Sequence, residues 1–301
     1  MQIRKTEYKG VLAIALETEK YIALVLPTEG GKIASFLEKE NGKEYLLQNP
    51  SREYLRIGET DDFEKGECSG FDDMFPTIDA VVVDGKEYPD HGEVCRYPFS
   101  YEILEGGLAL FFRSARFAYA YKKTFFEGAD GRLLIRYEIT NEGEKEFACL
   151  WAGHCLVRAE KGGQVLLPFA EGEPVDFVYD STGKTSYGDR FPYKKEFLFS
   201  DWKEDAPACK KLYFPEKCKN GYVGYRYPDG KIFMLEFDEL KLPYIGIWQD
   251  HGVVNGSYCV GLEPCTVGYD TVENARAYGQ TGKLEAGETL RFQIALYTRM
   301  E

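Results

Sequence analysis

The strongest constraint on this chain is a cadence of short apolar runs and turns between residues 99 and 157. FSYEILEGG, LALFFRSA, FAYAYKKTFFE, LLIRYEIT and FACLWAGHCLV follow one another, roughly ten residues apart, which is the spacing of antiparallel strands. Asp130-Gly131 and Asn141-Glu142-Gly143 fall between them, and such residues tolerate the positive φ of tight turns. No window there sustains a helical period, so the reading is an all-β fold of large antiparallel sheets.

The rest of the chain extends the pattern. VLAIALET (11–18), YIALVLP (21–27) and GKIASFLEKE (31–40) read as strands, and Asn41-Gly42 before KEYLLQ signals a hairpin. Residues 58–80 break the pattern. They are acidic and aperiodic, as in a functional loop, and Phe71, Met74, Phe75 and Pro76 argue against disorder. Within this loop, Asp72-Asp73 reads as a solvated pair rather than a cation site. Asp84-Gly85 and Pro228-Asp229-Gly230 mark two further hairpins, residues 158–230 are otherwise irregular, and ETLRFQIALYTRM closes the chain as a strand. One helix is expected at TVENARAYG, with Asp270 as cap, Glu273 three residues on and Gly279 at the end. There is no linker or composition break, so residues 1–301 are read as a single domain with few short helices.

A hydrophobic content of 44% supplies a sizeable core, and 22 Tyr and 20 Phe suit strands and flat sugar ligands. The net charge of −13 argues against nucleic acid, whose phosphates need a basic face. MQIRKTEYKG lacks the apolar stretch of a secretion signal, and the run Val11–Leu16 is too short to span a membrane. A cytoplasmic protein is expected. Its eight Cys form no CxxC pair, so they read as reduced, mostly buried thiols, with no metal. Asn255-Gly256-Ser257 matches a glycosylation sequon but reads as a turn.

Few residues offer chemistry. His251 lies in the turn QDHGVV and reads as solvated; His91 lies in PDHGEV. His154 is in the apolar run FACLWAGHCLV, where alternation places it with Ala148, Leu150 and Ala152. Glu263 is a carboxylate between Leu262 and Pro264 in an apolar strand, on one face with Cys259 and Gly261. Burial either pairs such a group with a cation or raises its pKa toward that of a general base. The pattern alone leaves both open. Gly30-Gly31-Lys32 lacks the rest of a phosphate loop, and no GxSxG, HExxH or EF-hand pattern occurs.

GFDDMFPTID (70–79), PDHGEV (89–94), LWAGHCLV (150–157) with VLLP, LPYIGIW (242–248), GLEPCTVGYDTVENA (261–275) and LEAGETLRF (284–292) occur in an order that resembles the aldose 1-epimerase (galactose mutarotase-like) superfamily. The resemblance covers most of the chain. It implies a large antiparallel β-sandwich, the supersandwich, and interconversion of sugar anomers without a cofactor. By motif, Glu263 would take the proton of the anomeric hydroxyl, His154 would protonate the ring oxygen, and His91 would bond the substrate nearby. Opening a hemiacetal requires only these two proton transfers.

Trp248, Phe71 and Phe75 are the aromatic candidates to stack on a sugar, and Asp72 and Gln249 the candidates to bond its hydroxyls. The galactose-specific branch carries an Arg in the early loop and an Asn before the acid His. Here the early motif is acidic and Gly153 precedes His154, so the chain looks closer to a less characterised branch. Arg96, with Lys122 or Lys123, would serve a phosphorylated sugar, and Asp201 is the candidate for the family's hydroxyl-binding Asp. The expectation is an isomerase of the aldose 1-epimerase type acting on a small carbohydrate, as monomer or homodimer. The alternatives are a non-catalytic carbohydrate-binding protein on the same fold and a scaffold. A scaffold would bury Glu263 in an ion pair with no cleft beside it.

Overall fold

A computed structural model describes residues 1–195, 207–254 and 256–301. Two antiparallel sheets account for most of it. The larger has eleven strands in the order Gln2–Tyr8, Val11–Glu17, Tyr21–Leu26, Lys32–Glu38, Phe71–Met74, Ala152–Arg158, Tyr258–Cys265, Tyr244–His251, Ala208–Tyr213, Pro174–Asp180, Asp189–Pro192. The smaller has eight: Gln164–Leu166, Tyr222–Arg226, Lys231–Phe237, Thr289–Met300, Leu133–Asn141, Tyr119–Glu127, Gly107–Ser114, Ser100–Leu104. Their facing sides form one aromatic-rich core, in which Phe36 meets Phe233 edge-on at 5.7 Å and Tyr137 meets Trp151 at 5.1 Å. No helix among the described residues is long and apolar enough to cross a membrane.

The turns at Asp84-Gly85, Asp130-Gly131 and 228–230 join paired strands as expected. After Asn41-Gly42 the returning chain makes only a bridge, Leu37 to Glu44, instead of a full hairpin. FACLWAGHCLV is not one strand; it splits into Phe147–Ala148 and Ala152–Arg158. The helix is Val272–Ala277, and its cap is Thr271, whose hydroxyl accepts from the Asn274 N–H at 3.0 Å. Asp270, one residue earlier, is engaged elsewhere. All eight Cys are free, seven of them buried and Cys68 partly exposed.

The acidic stretch 58–80 departs most from expectation. It contains a 3-10 turn, Phe63–Lys65, and a central strand, Phe71–Met74. Asp72 and Asp73 are both buried on that strand, pointing to opposite faces. Asp73 faces the smaller sheet, paired with Lys123 Nζ at 2.9 Å and accepting from Tyr137 OH at 3.0 Å. Asp72 faces away from it, paired with Lys32 Nζ at 2.8 Å. Two lysines distant in sequence thus compensate charges that would otherwise cost several kcal/mol each to bury. Lys123 is therefore not available to a phosphate, and Lys122 lies on the other face of its strand, paired with Glu138 at 2.9 Å.

Candidate active site

Register brings the polar residues of the larger sheet into a transverse row. Asp72 lies opposite His154. The pairing of Cys155 with Leu262 and Leu156 with Gly261 sets His154 beside Glu263. Glu263 then lies opposite Gly246, Gly246 opposite Tyr213, Tyr213 opposite Asp176, and Asp176 opposite Arg190. Because Asp73 faces the core, this row lies on the opposite face of the sheet, where His154 opens on a cavity of about 400 Å³.

Gly246 leaves a gap in the row that the Tyr213 ring fills, and Lys211, two residues earlier on the strand Ala208–Tyr213, shares that face. Its ammonium forms a short ion pair with Glu263 Oε2 and lies 3.4 Å from Asp270 Oδ1. Asp270 also accepts from Tyr213 OH at 2.6 Å. Burial works against the Lys211 charge, but the Asp270 and Glu263 carboxylates outweigh it and raise its pKa. The other Glu263 oxygen, Oε1, is buried with no hydrogen-bond partner and lies 4.0 Å from His154 Nε2. His154 Nδ1 likewise has no partner. Burial raises the Glu263 pKa, an effect Lys211 only partly offsets. Burial, with His91, Lys211 and Lys32 adding to it, lowers that of His154 well below the usual value.

His91 completes the cluster. Its backbone adopts φ +56°, uncommon for a residue with a side chain, and its ring stacks on Phe63 at 4.3 Å. The ring centroid lies 5.5 Å from that of His154. Asp90 holds both partners in place, meeting His91 Nδ1 at 2.9 Å and accepting the Phe63 N–H at 2.7 Å. Arg96 ties the same loops together, donating to the carbonyls of Gly58, Asp61, Asp90 and Gly92. It binds backbone, and it lines a neighbouring cavity of about 350 Å³ rather than this one.

Of the residues expected from the sequence, His91, His154 and Trp248 line the cavity, with Glu263 sealed immediately behind His154 and Lys211. Trp248 stacks with Tyr179 at 5.8 Å. Phe71 and Phe75 are core residues; Phe63 supplies the aromatic wall instead. Asp72 opens on the neighbouring cavity. Gln249 points away from Trp248's face and meets His251 Nε2 at 2.9 Å, so His251 is a half-buried residue at a strand end rather than a solvated turn residue. Asp201 and Asn255 lie outside the described residues.

Lys211 and Asp270 were missed. They fall in or beside stretches without a chemical motif, yet alternation in ACKKLY puts Lys211 on one face with Cys209 and Tyr213, both buried. That was the available signal. Among the described residues no group of three or more His, Cys, Asp or Glu could hold a metal ion.

The two sheets, with a cavity over the centre of the larger, define a galactose mutarotase-like β-supersandwich. The chain is similar to a candidate aldose 1-epimerase from Klebsiella pneumoniae (TM-score 0.73, 16% identity, 99% of this chain and 83% of that one). It is also similar to galactose mutarotase-like proteins from Clostridium acetobutylicum (TM-score 0.68, 13% identity, 100% and 99% covered) and Lactobacillus casei (TM-score 0.63, 17% identity, 95% and 100% covered). No protein-family model and no curated protein matches the sequence. At these identities the likeness establishes the fold.

Proposed function

We propose that this chain is an aldose 1-epimerase-like enzyme that interconverts the α and β anomers of a sugar by acid–base ring opening. One observation carries the reading: Glu263 Oε1 and His154 Nε2 face each other at 4.0 Å beneath an aromatic-walled cavity. Burial pushes their proton affinities toward each other, raising the carboxylate and lowering the imidazole. The carboxylate becomes the better proton acceptor and the imidazolium the readier proton donor, a reciprocal pair on either side of the reacting sugar. Mutarotation needs this symmetry, because the anomeric hydroxyl loses a proton while the ring oxygen gains one, and closure on the other face reverses both. In the acting state Glu263 is the base and His154, as imidazolium, the acid. His91 bonds the substrate beside them, and Phe63 and Trp248 offer flat apolar faces to the ring.

The rival reading, a carbohydrate-binding protein without catalysis, draws on the Lys211 pair. A carboxylate sealed behind an ammonium is a weaker base than a free one. NMR exchange between anomers over a panel of free sugars separates the two. Exchange that is lost in Glu263→Gln supports the enzyme, whereas sugar binding without exchange in the parent protein rules it out.

A further inference from the structure

The cavity is acidic. Asp62, Glu64, Asp79, Asp90, Asp250 and Asp270 line it, and Lys211 is the one lysine or arginine among the described lining residues. That lysine is spent on Glu263 and Asp270. Asp62 pairs with Lys65, Asp90 meets His91, and Asp250 accepts the Val253 and Val254 N–H groups. Asp79 and Glu64 have no salt bridge among the described residues. Burial first, and then the nearby Asp270 carboxylate, push the Asp79 pKa up to about 6. His154, 7% exposed, lines the cavity, and its buried Nδ1 has no hydrogen-bond partner among the described residues, an unmet polar group at the ligand wall. The cations that would have served a phosphate are elsewhere: Arg96 on backbone carbonyls, Lys122 and Lys123 in ion pairs across other faces.

We infer that the site selects its sugar by charge: it excludes phosphorylated and carboxylated sugars, and it prefers an amine-bearing sugar, as the ammonium, over the neutral parent. This rests on the sugar-binding reading above and names the substrate class. An anion would enter against several carboxylates with no uncompensated lysine or arginine among the described lining residues. An ammonium would find in Asp79 and Glu64 two carboxylates with no salt bridge among the described residues. Carboxylates also accept hydroxyl hydrogen bonds, so a neutral sugar binds, but without the Coulomb gain.

Calorimetric titration tests this with the 2-amino, neutral, 6-phosphate and 6-carboxylate forms of glucose and galactose at neutral pH. The amino form of at least one series should bind about tenfold tighter than its neutral parent, and the advantage should shrink at about 0.5 M salt, where screening is strong. The phosphate and carboxylate forms should bind more weakly than the neutral sugar. Asp79→Asn, at the exposed rim, should cut the affinity for the amine form several-fold more than the affinity for the neutral sugar. Phosphate or carboxylate binding equal to the neutral sugar, or no amine advantage in either series, overturns the inference. Because the readout is binding, a clean charge preference without anomer exchange would sink catalysis alone. Exchange of a phosphosugar would sink the charge selection alone.

Discussion

A methyl group on Gly261 would stand 2.9 Å from Glu263 Oε1 and 3.0 Å from the Trp248 Cβ. The bare backbone at 261 is therefore occupied by the Glu263 carboxylate, and is not open space for a sugar. Gly261→Ala should shift that carboxylate off His154 and lower anomer exchange about 100-fold, the cost of a misplacement near 1 Å. Because the rest of the strand is unchanged, the variant should stay folded. Exchange rates and a melting curve measured together check both halves.

Glu263→Gln and His154→Gln each remove one end of the proton pair. Each should reduce kcat about 10²- to 10⁴-fold, and the double variant should be little worse than either single one, because the groups act as a unit. Additive losses would mean that the two residues do not share a proton.

Lys211→Met leaves the Glu263 carboxylate buried without its cation. It should cost about 3–5 kcal/mol of stability. Adding Glu263→Gln should recover much of that loss. Urea unfolding of the parent, both single variants and the double variant reads the coupling.

Burial lowers the pKa of His251 from 6.5 to about 4. The unfolded chain therefore takes up a proton that the native chain refuses. Its contribution to stability is complete above pH 6.5 and is lost as pH falls toward about 4. His251→Gln should flatten this part of the acid limb. Chemical denaturation of parent and variant across that range would show a constant difference if His251 were not responsible.

The pattern of residues disclosed what is local and withheld what is distant. Hairpins at Asp84-Gly85 and Asp130-Gly131 could be placed because the turn chemistry sits in two adjacent residues. Glu263 and His154 stood out because each is a polar group in an apolar run. The strand Phe71–Met74 did not, because Asp72 and Asp73 look solvated until Lys32 and Lys123 are brought to them by register. Lys211 was hidden for the same reason, within an irregular stretch whose strands pair with elements far along the chain. Asp270 reads as a helix cap by position, but Tyr213 and Lys211 claim its carboxylate and Thr271 takes the cap.

The transverse row also has a bearing on how the chain matures. Its members at 72, 154, 213 and 263 sit within five consecutive strands of the sheet yet far apart in sequence. Such distant pairings close slowly, after local hairpins have formed. A chain still emerging from the ribosome can build the meander of its first four strands, yet it cannot hold Glu263 against His154 until nearly its whole length is available. Activity would then appear only with the finished sheet, so partly folded molecules are silent.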